Sequence, residues 1–139
     1  MPSRFEPQWS VRLRMWVGRR GAMLALAAAV DIIYGAALAT TPADTAIWWP
    51  AASHELFRFP VPAWGLVWIA IGVVLLTGIP RRIPDGFHFG LAVALWSWWS
   101  VASVLDWVTT DSPGLWGLCA IYAGLALGLL VAAGWEDPP

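Results

Sequence analysis

The run GAMLALAAAVDIIYGAALAT, residues 21–40, decides the fold class of this chain. It is an almost unbroken apolar stretch with one ionisable side chain, Asp31, near its middle. A helix of about 20 residues rises ~30 Å, which matches the hydrocarbon core of a bilayer. The stretch therefore predicts a transmembrane helix.

Three further apolar stretches have the length of a membrane span, and the four together take up most of the chain. We predict spans at about 21–40, 62–79, 86–108 and 113–135, after a basic N-terminal segment, 1–20, and before a short tail, 136–139. The composition agrees, because 59% of the 139 residues are hydrophobic and only 12% are charged, whereas soluble domains carry about 25% charged residues. We expect an all-α, integral membrane four-helix bundle made of two antiparallel helical hairpins.

The positions of the arginines predict the orientation in the membrane. All eight basic residues are arginine, and seven of them precede the first span or lie between the second and third spans. Basic residues accumulate on the cytoplasmic side of membrane proteins, so we expect both termini in the cytoplasm. The residues that carry this prediction, besides Arg4, are Arg12, Arg14, Arg19, Arg20, Arg81 and Arg82.

Two interpretations of the N-terminal region stay open. Residues 1–39 resemble a cleaved signal peptide, since Arg19-Arg20 precede an apolar run and Ala37-Leu38-Ala39 has a small-x-small pattern. The run is long for a signal sequence and contains Asp31, which favours a retained span. Within the basic segment, apolar residues at helical spacing predict either a short helix on the inner leaflet or an extension of the first span.

Small residues at helical spacing predict where the spans pack. Lipid tails compete equally for leucine, so membrane helices associate where small side chains let their backbones approach. The predicted packing seam comprises Gly35, Gly86, Gly90, Ala94, Ala120, Gly124 and Gly128. This pattern indicates a packed bundle and a homo-oligomer.

A few polar side chains fall inside the spans, and Asp31 is the most costly of them. A charged group at the bilayer centre costs ~2.5–3.5 kcal/mol, so Asp31 is expected to face the protein. The indole and hydroxyl groups at its depth that can satisfy it are those of Trp68, Ser97, Ser100 and Tyr122. We interpret it as a link between helices, with a proton relay or the polar lining of an oligomeric lesion as alternatives. The intramembrane polar set is Asp31, Tyr34, Ser97, Ser100 and Tyr122.

No pattern typical of an enzyme is present. The sequence has no phosphate-binding glycine loop, no metal-ligand spacing and no nucleophile beside a base, and His54 and His88 fall on opposite predicted sides of the membrane. We therefore expect no catalytic residues, no metal and no cofactor. The predicted partner is the lipid bilayer and not nucleic acid, because the neighbouring membrane accounts for the arginine cluster. A small-molecule ligand stays open.

Three segments, WGLVWIAIG at 64–72, WSWWS at 96–100 and GWEDP at 134–138, resemble small four-span membrane proteins encoded by bacteriophages of actinobacteria. The likeness covers most of residues 19–139. Some of those proteins are regarded as holins, so the resemblance implies a holin-like protein that oligomerises in the host cytoplasmic membrane and permeabilises it. The chain differs from many holins in ending on Glu136-Asp137 instead of a basic tail.

Two other functions remain as alternatives. A non-lytic accessory membrane protein, acting in superinfection exclusion or in an envelope complex, would use the aromatic outer loop, with Trp48, Trp49 and Phe57 as contacts. A small proton-coupled carrier or membrane enzyme would use Asp31.

Overall fold

The computed structural model describes residues 8–40, 42, 60–80, 86–110 and 115–134, and the side chains of 18–40, 42, 60–80, 86–109 and 118–134. Four helices are present there: α1 (Gln8–Thr40), α2 (Val61–Thr77), α3 (Gly86–Thr110) and α4 (Leu115–Ala133). The described residues contain no strand, so the predicted all-α class is confirmed. Helices α2, α3 and α4 begin and end within two residues of the predicted spans.

Gly18 divides α1 into two helical segments. Its φ of 64° and ψ of −179° interrupt the helix, and a positive φ of this size is adopted readily only by glycine. Residues 8–17 are helical, but they do not continue the segment 19–40 in a straight line. The N-terminal segment is thus not a simple extension of the first predicted span.

Proline and glycine set the ends of α2. Pro60 precedes the helix with an extended ψ of 149°, and Pro62 lies in the first turn, where a missing N–H breaks no helical hydrogen bond. At the other end the N–H of Gly78 donates to the carbonyl of Leu75 at 3.0 Å. These local signals explain why the sequence predicts the position of this helix well.

The contacts between helices define an up-down-up-down arrangement. Helix α1 packs mainly on α2, and α3 packs mainly on α4. Gly35 lies against Gly65, whereas Ala28, two turns earlier, lies against Gly72, so α1 and α2 are antiparallel. The two pairs are joined by side chains of α1 and α3, since Trp96 bonds to Asp31 and Trp99 bonds to Tyr34.

Two of the described helical segments, Gly18–Thr40 and Gly86–Thr109, are long and apolar enough to cross a membrane, with 23 and 24 residues. Val61–Thr77 and Leu118–Ala133 are shorter apolar helices. Large apolar side chains are exposed on all four helices, while several polar side chains are buried.

Candidate functional site

Asp31 lies in the middle of the apolar part of α1 and is completely buried, with 0% of its surface exposed. One carboxyl oxygen, Oδ1, accepts a hydrogen bond of 2.7 Å from the indole Nε1 of Trp96 on α3. The other oxygen, Oδ2, has no hydrogen-bond partner among the described residues. The partner is therefore Trp96, which is none of the four side chains expected at this depth, and one of those four, Ser97, is exposed.

An aromatic cluster lies one turn further along, formed by Tyr34, Trp64, Trp68, Trp99 and Tyr122. Trp99 Nε1 donates to the Tyr34 hydroxyl at 2.9 Å. The ring centroids are 4.6 Å apart for Tyr34 and Trp68, 5.2 Å for Trp68 and Trp99, and 5.2 Å for Trp64 and Trp99, all in edge-on arrangements. Each such pair contributes ~0.5–1.5 kcal/mol beyond burial. The cluster joins all four helices, because the Tyr122 ring on α4 lies 6.0 Å from Tyr34.

The two indole hydrogen bonds repeat at the same spacing. Asp31 and Tyr34 are three residues apart on α1, and their donors Trp96 and Trp99 are three residues apart on α3. Residues three apart share one face of a helix, so the two bonds lie about one turn apart and join the same faces of α1 and α3, which run parallel. Trp96 and Trp99 thus both have hydrogen-bond partners within the bundle.

Trp68 differs, because its Nε1 is buried and has no hydrogen-bond partner among the described residues. In the described part of the chain, no acidic or basic side chain is hydrogen-bonded to Asp31, whose partner is the indole of Trp96. The arrangement can link helices and can hold one proton on a carboxyl group, but it does not pair a nucleophile with a base. This geometry agrees with the interpretation of Asp31 as a link between helices.

Glycines bring the backbones of α1 and α2 into contact. A Cβ atom on Gly35 would lie 2.6 Å from the carbonyl oxygen of Gly65, and one on Gly65 would lie 2.5 Å from the backbone nitrogen of Ala39. A Cβ on Gly72 would lie 2.9 Å from the carbonyl oxygen of Ala28. The predicted seam omitted Gly65 and Gly72, although their spacing of seven residues is the signal that could have identified them.

The other predicted seam residues lie elsewhere. A Cβ on Gly86, Gly90, Gly124 or Gly128 would have no described atom within 4 Å, and Ala94 and Ala120 are exposed. These six positions do not bring two described helices of the chain together. Their role in contacts with a second copy stays a prediction.

A second polar contact joins α2 to α3 near Gly78. The His88 Nε2 atom and the Thr77 hydroxyl are 2.9 Å apart, and the His88 ring covers Gly78 so closely that a Cβ there would lie 2.5 Å from it. His88 is buried, and no role for it was predicted from the sequence. The signal that could have suggested a contact with α2 is its position in the first turn of α3, just after the connection between the two helices.

The remaining polar residues connect α3 to α4 or bond within α3. The Ser100 hydroxyl donates to the Cys119 carbonyl at 3.2 Å and lies 3.4 Å from the Cys119 sulfur. Ser103 donates to the carbonyl of Trp99 in the preceding turn at 2.9 Å. Asp106 is buried near the end of α3. Within the described residues, no three His, Cys, Asp or Glu side chains are grouped as metal ligands would be.

Several predicted residues fall outside the described side chains. They are Trp48, Trp49 and Phe57 of the outer loop and the arginines Arg12, Arg14, Arg81 and Arg82. Arg19 is exposed, and the Arg20 guanidinium lies 5.5 Å from the centroid of the Phe89 ring.

Comparison with known proteins identifies no relative: no family model matches the chain, and neither a curated protein nor a solved structure matches it.

Proposed function

We propose that this chain is a multi-pass protein of a bacterial cytoplasmic membrane that self-associates and permeabilises the membrane, as holin-like phage proteins do. All four helices cross the bilayer in this proposal, and both termini are cytoplasmic. The observation that carries it is the distribution of polarity, which is inverted relative to a water-soluble bundle.

The inversion is clear in individual residues. Asp31 is fully buried, whereas Ile33, two positions later, is 70% exposed. Leu66 on α2, Val108 on α3 and Leu127 on α4 are 63%, 70% and 62% exposed. In water such a surface would favour aggregation, but in a bilayer it contacts lipid tails at no cost. The buried carboxyl and indole groups then hydrogen-bond to one another because lipid offers them no partner.

The two shorter helices are compatible with crossing. Helix α2 has 17 residues, which gives a rise of about 25 Å, at the lower end of the range for spans. Helix α4 has 19 residues and is apolar on all sides. With α1 and α3 they give four spans, and the seven arginines then lie on the cytoplasmic side.

Self-association is supported by a row of exposed small residues on α3. Gly86, Gly90 and Ala94 follow one another at single-turn spacing on the outside of this helix. Space is open above both glycines. Since α1 and α2 already use such residues to approach each other, this row provides the same kind of surface for another copy.

The test is induced expression in an actinobacterial host, with membrane potential and optical density followed together. A holin-like protein should collapse the potential abruptly after a delay, and an energy poison should bring the collapse forward. Ala94→Ile should postpone or abolish the collapse. Ala29→Ile, at an exposed position of α1, is the matched control and should behave as the unmodified chain.

Steady growth with an intact potential at high expression would refute the proposal. Equal effects of the two isoleucine variants would show that the α3 surface is not the contact. A non-lytic accessory role through the outer loop, with contacts at Trp48, Trp49 and Phe57, would then become the leading hypothesis.

A further inference from the structure

A cleft of about 250 Å³ separates the first half of the apolar segment of α1 from the second half of α4. Trp96 of α3 also lines it. Its lining includes Met23, Ala27, Val30, Trp96, Gly124 and Gly128. The cleft exists because the two glycines have no side chains, and a Cβ on either of them would have no described atom within 4 Å.

The described residues of the lining offer no free polar side chain to a ligand. Among them, the only side-chain nitrogen or oxygen is Nε1 of Trp96, which already donates to Asp31. Trp96 therefore presents carbon atoms to the cleft, beside the alkyl groups of leucine, valine and alanine. A dry, apolar cavity of 150 Å³ is large enough to bind benzene, so one of 250 Å³ suits a longer apolar group.

The cleft lies within one leaflet of the membrane that the proposed function requires. From Met23 to Val30 the helix rises ~10 Å, and Arg19 precedes Met23 by one turn. The distance from Arg19 to Val30 is thus roughly 16 Å, about half of a ~30 Å hydrocarbon core. Arg19 is exposed, and because it lies four residues before Met23 it shares that face of α1, so the proposed topology puts it at the cytoplasmic end of the cleft.

We propose that the cleft binds an acyl chain of one anionic phospholipid of the inner leaflet, with the phosphate of that lipid held by Arg19. The inference rests on the proposed membrane location but not on lysis. The apolar lining selects the acyl chain, and the guanidinium group at the mouth selects the negative headgroup. A second copy of the chain is the other occupant that the test distinguishes.

The test uses the purified full chain and native mass spectrometry of its monomer, with dioleoylphosphatidylglycerol or dioleoylphosphatidylcholine as the added probe. The unmodified chain should bind one phosphatidylglycerol in preference to phosphatidylcholine. Gly128→Leu places a side chain in the open cleft and should weaken phosphatidylglycerol binding at least about tenfold, because it excludes several methylene groups. Arg19→Gln should remove the preference for phosphatidylglycerol while leaving phosphatidylcholine binding unchanged.

Gly90→Leu is the matched control, since a Cβ there also has open space but the residue lies outside the cleft. It should keep the bound lipid even if it prevents self-association. Lipid binding that is unchanged in Gly128→Leu would overturn the proposal. Loss of the bound lipid in Gly90→Leu would also overturn the proposal, because the lipid would then lie in a contact between two copies of the chain. Flotation of the protein with vesicles reports membrane insertion separately, so failure of the proposed location is recognised independently.

Discussion

Replacing Gly35 by alanine tests the close backbone contact between α1 and α2. The new Cβ would lie 2.6 Å from the Gly65 carbonyl oxygen, 2.8 Å from the Ile69 nitrogen and 2.8 Å from the Trp68 Cβ. Two of these atoms belong to the backbone and the third is fixed to it, so no side-chain rotation relieves the contact. Helices α1 and α2 must therefore move apart.

The size of the effect follows from these distances. Ordinary contact begins at 3.4 Å, so the backbones must separate by about 0.8 Å, the difference between 3.4 Å and 2.6 Å. A gap of 0.5–1 Å forfeits a quarter to a half of the dispersion energy of each contact along the seam. Overpacking of this kind costs ~1–3 kcal/mol. Alanine also gains up to ~1 kcal/mol over glycine in helix propensity, which has to be subtracted.

Gly124→Ala provides the control, because it brings the same propensity gain at a helical position with open space around it. Both variants and the unmodified chain should be unfolded by SDS titration in mixed micelles, followed by helical circular dichroism and tryptophan fluorescence. The free energy of unfolding should be lower for Gly35→Ala than for Gly124→Ala by ~1–3 kcal/mol. If the two variants agree within about 0.5 kcal/mol, the α1–α2 contact is not as close as described.

Three further predictions use the same unfolding assay. Trp96→Phe should destabilise the fold by ~0.6–1.7 kcal/mol, because it removes the donor to Asp31. With Asp31→Leu in addition, the combined cost should be smaller than the sum of the single costs, since no buried carboxyl group is left unpaired, and strict additivity would contradict the hydrogen bond. Gly78→Ala should destabilise the chain through contact with the His88 ring, and the cost should vanish in a His88→Ala background; an equal cost in both backgrounds would exclude the contact. Gly18→Ala should cost ~1–3 kcal/mol because φ 64° with ψ −179° is a backbone conformation essentially confined to glycine, and Gly18→Asn should cost about as much, since asparagine tolerates the αL region but not this one. An alanine variant as stable as the unmodified chain would show that this glycine does not need its positive φ.

The helices themselves could be predicted closely because local signals define them. Pro60 and Pro62 set the start of α2, Gly78 its end, and long apolar runs supply the rest. The burial of Asp31 was also predictable, because a carboxyl group in an apolar helix is costly wherever lipid surrounds it. The kink at Gly18 was not predicted, since a glycine in a helical pattern is compatible with either a straight or a bent helix.

The contacts between helices were predicted less well. Gly35 meets Gly65, as a small-residue seam requires, but the equally regular pair Gly124 and Gly128 borders an open cleft. The partner of Asp31 is Trp96, which was not among the expected side chains of Trp68, Ser97, Ser100 and Tyr122. It differs from Ser97 by one residue, which rotates the position by about 100° around the helix. Sequence spacing gives the approximate depth of a side chain, and only the rotation of each helix decides which one is the partner.

The sequence by itself determined that the described part of this protein is helical, where α2, α3 and α4 begin and end to within two residues, and that Asp31 avoids the surface, because these features depend on the length and composition of single segments. The tertiary structure alone decided which faces meet. The physical reason is that each helix is apolar on nearly every side, so no amphipathic pattern marks a buried face. The choice of contact then depends on where two backbones can approach and where an indole can reach a carboxyl group, and both are properties of pairs of helices.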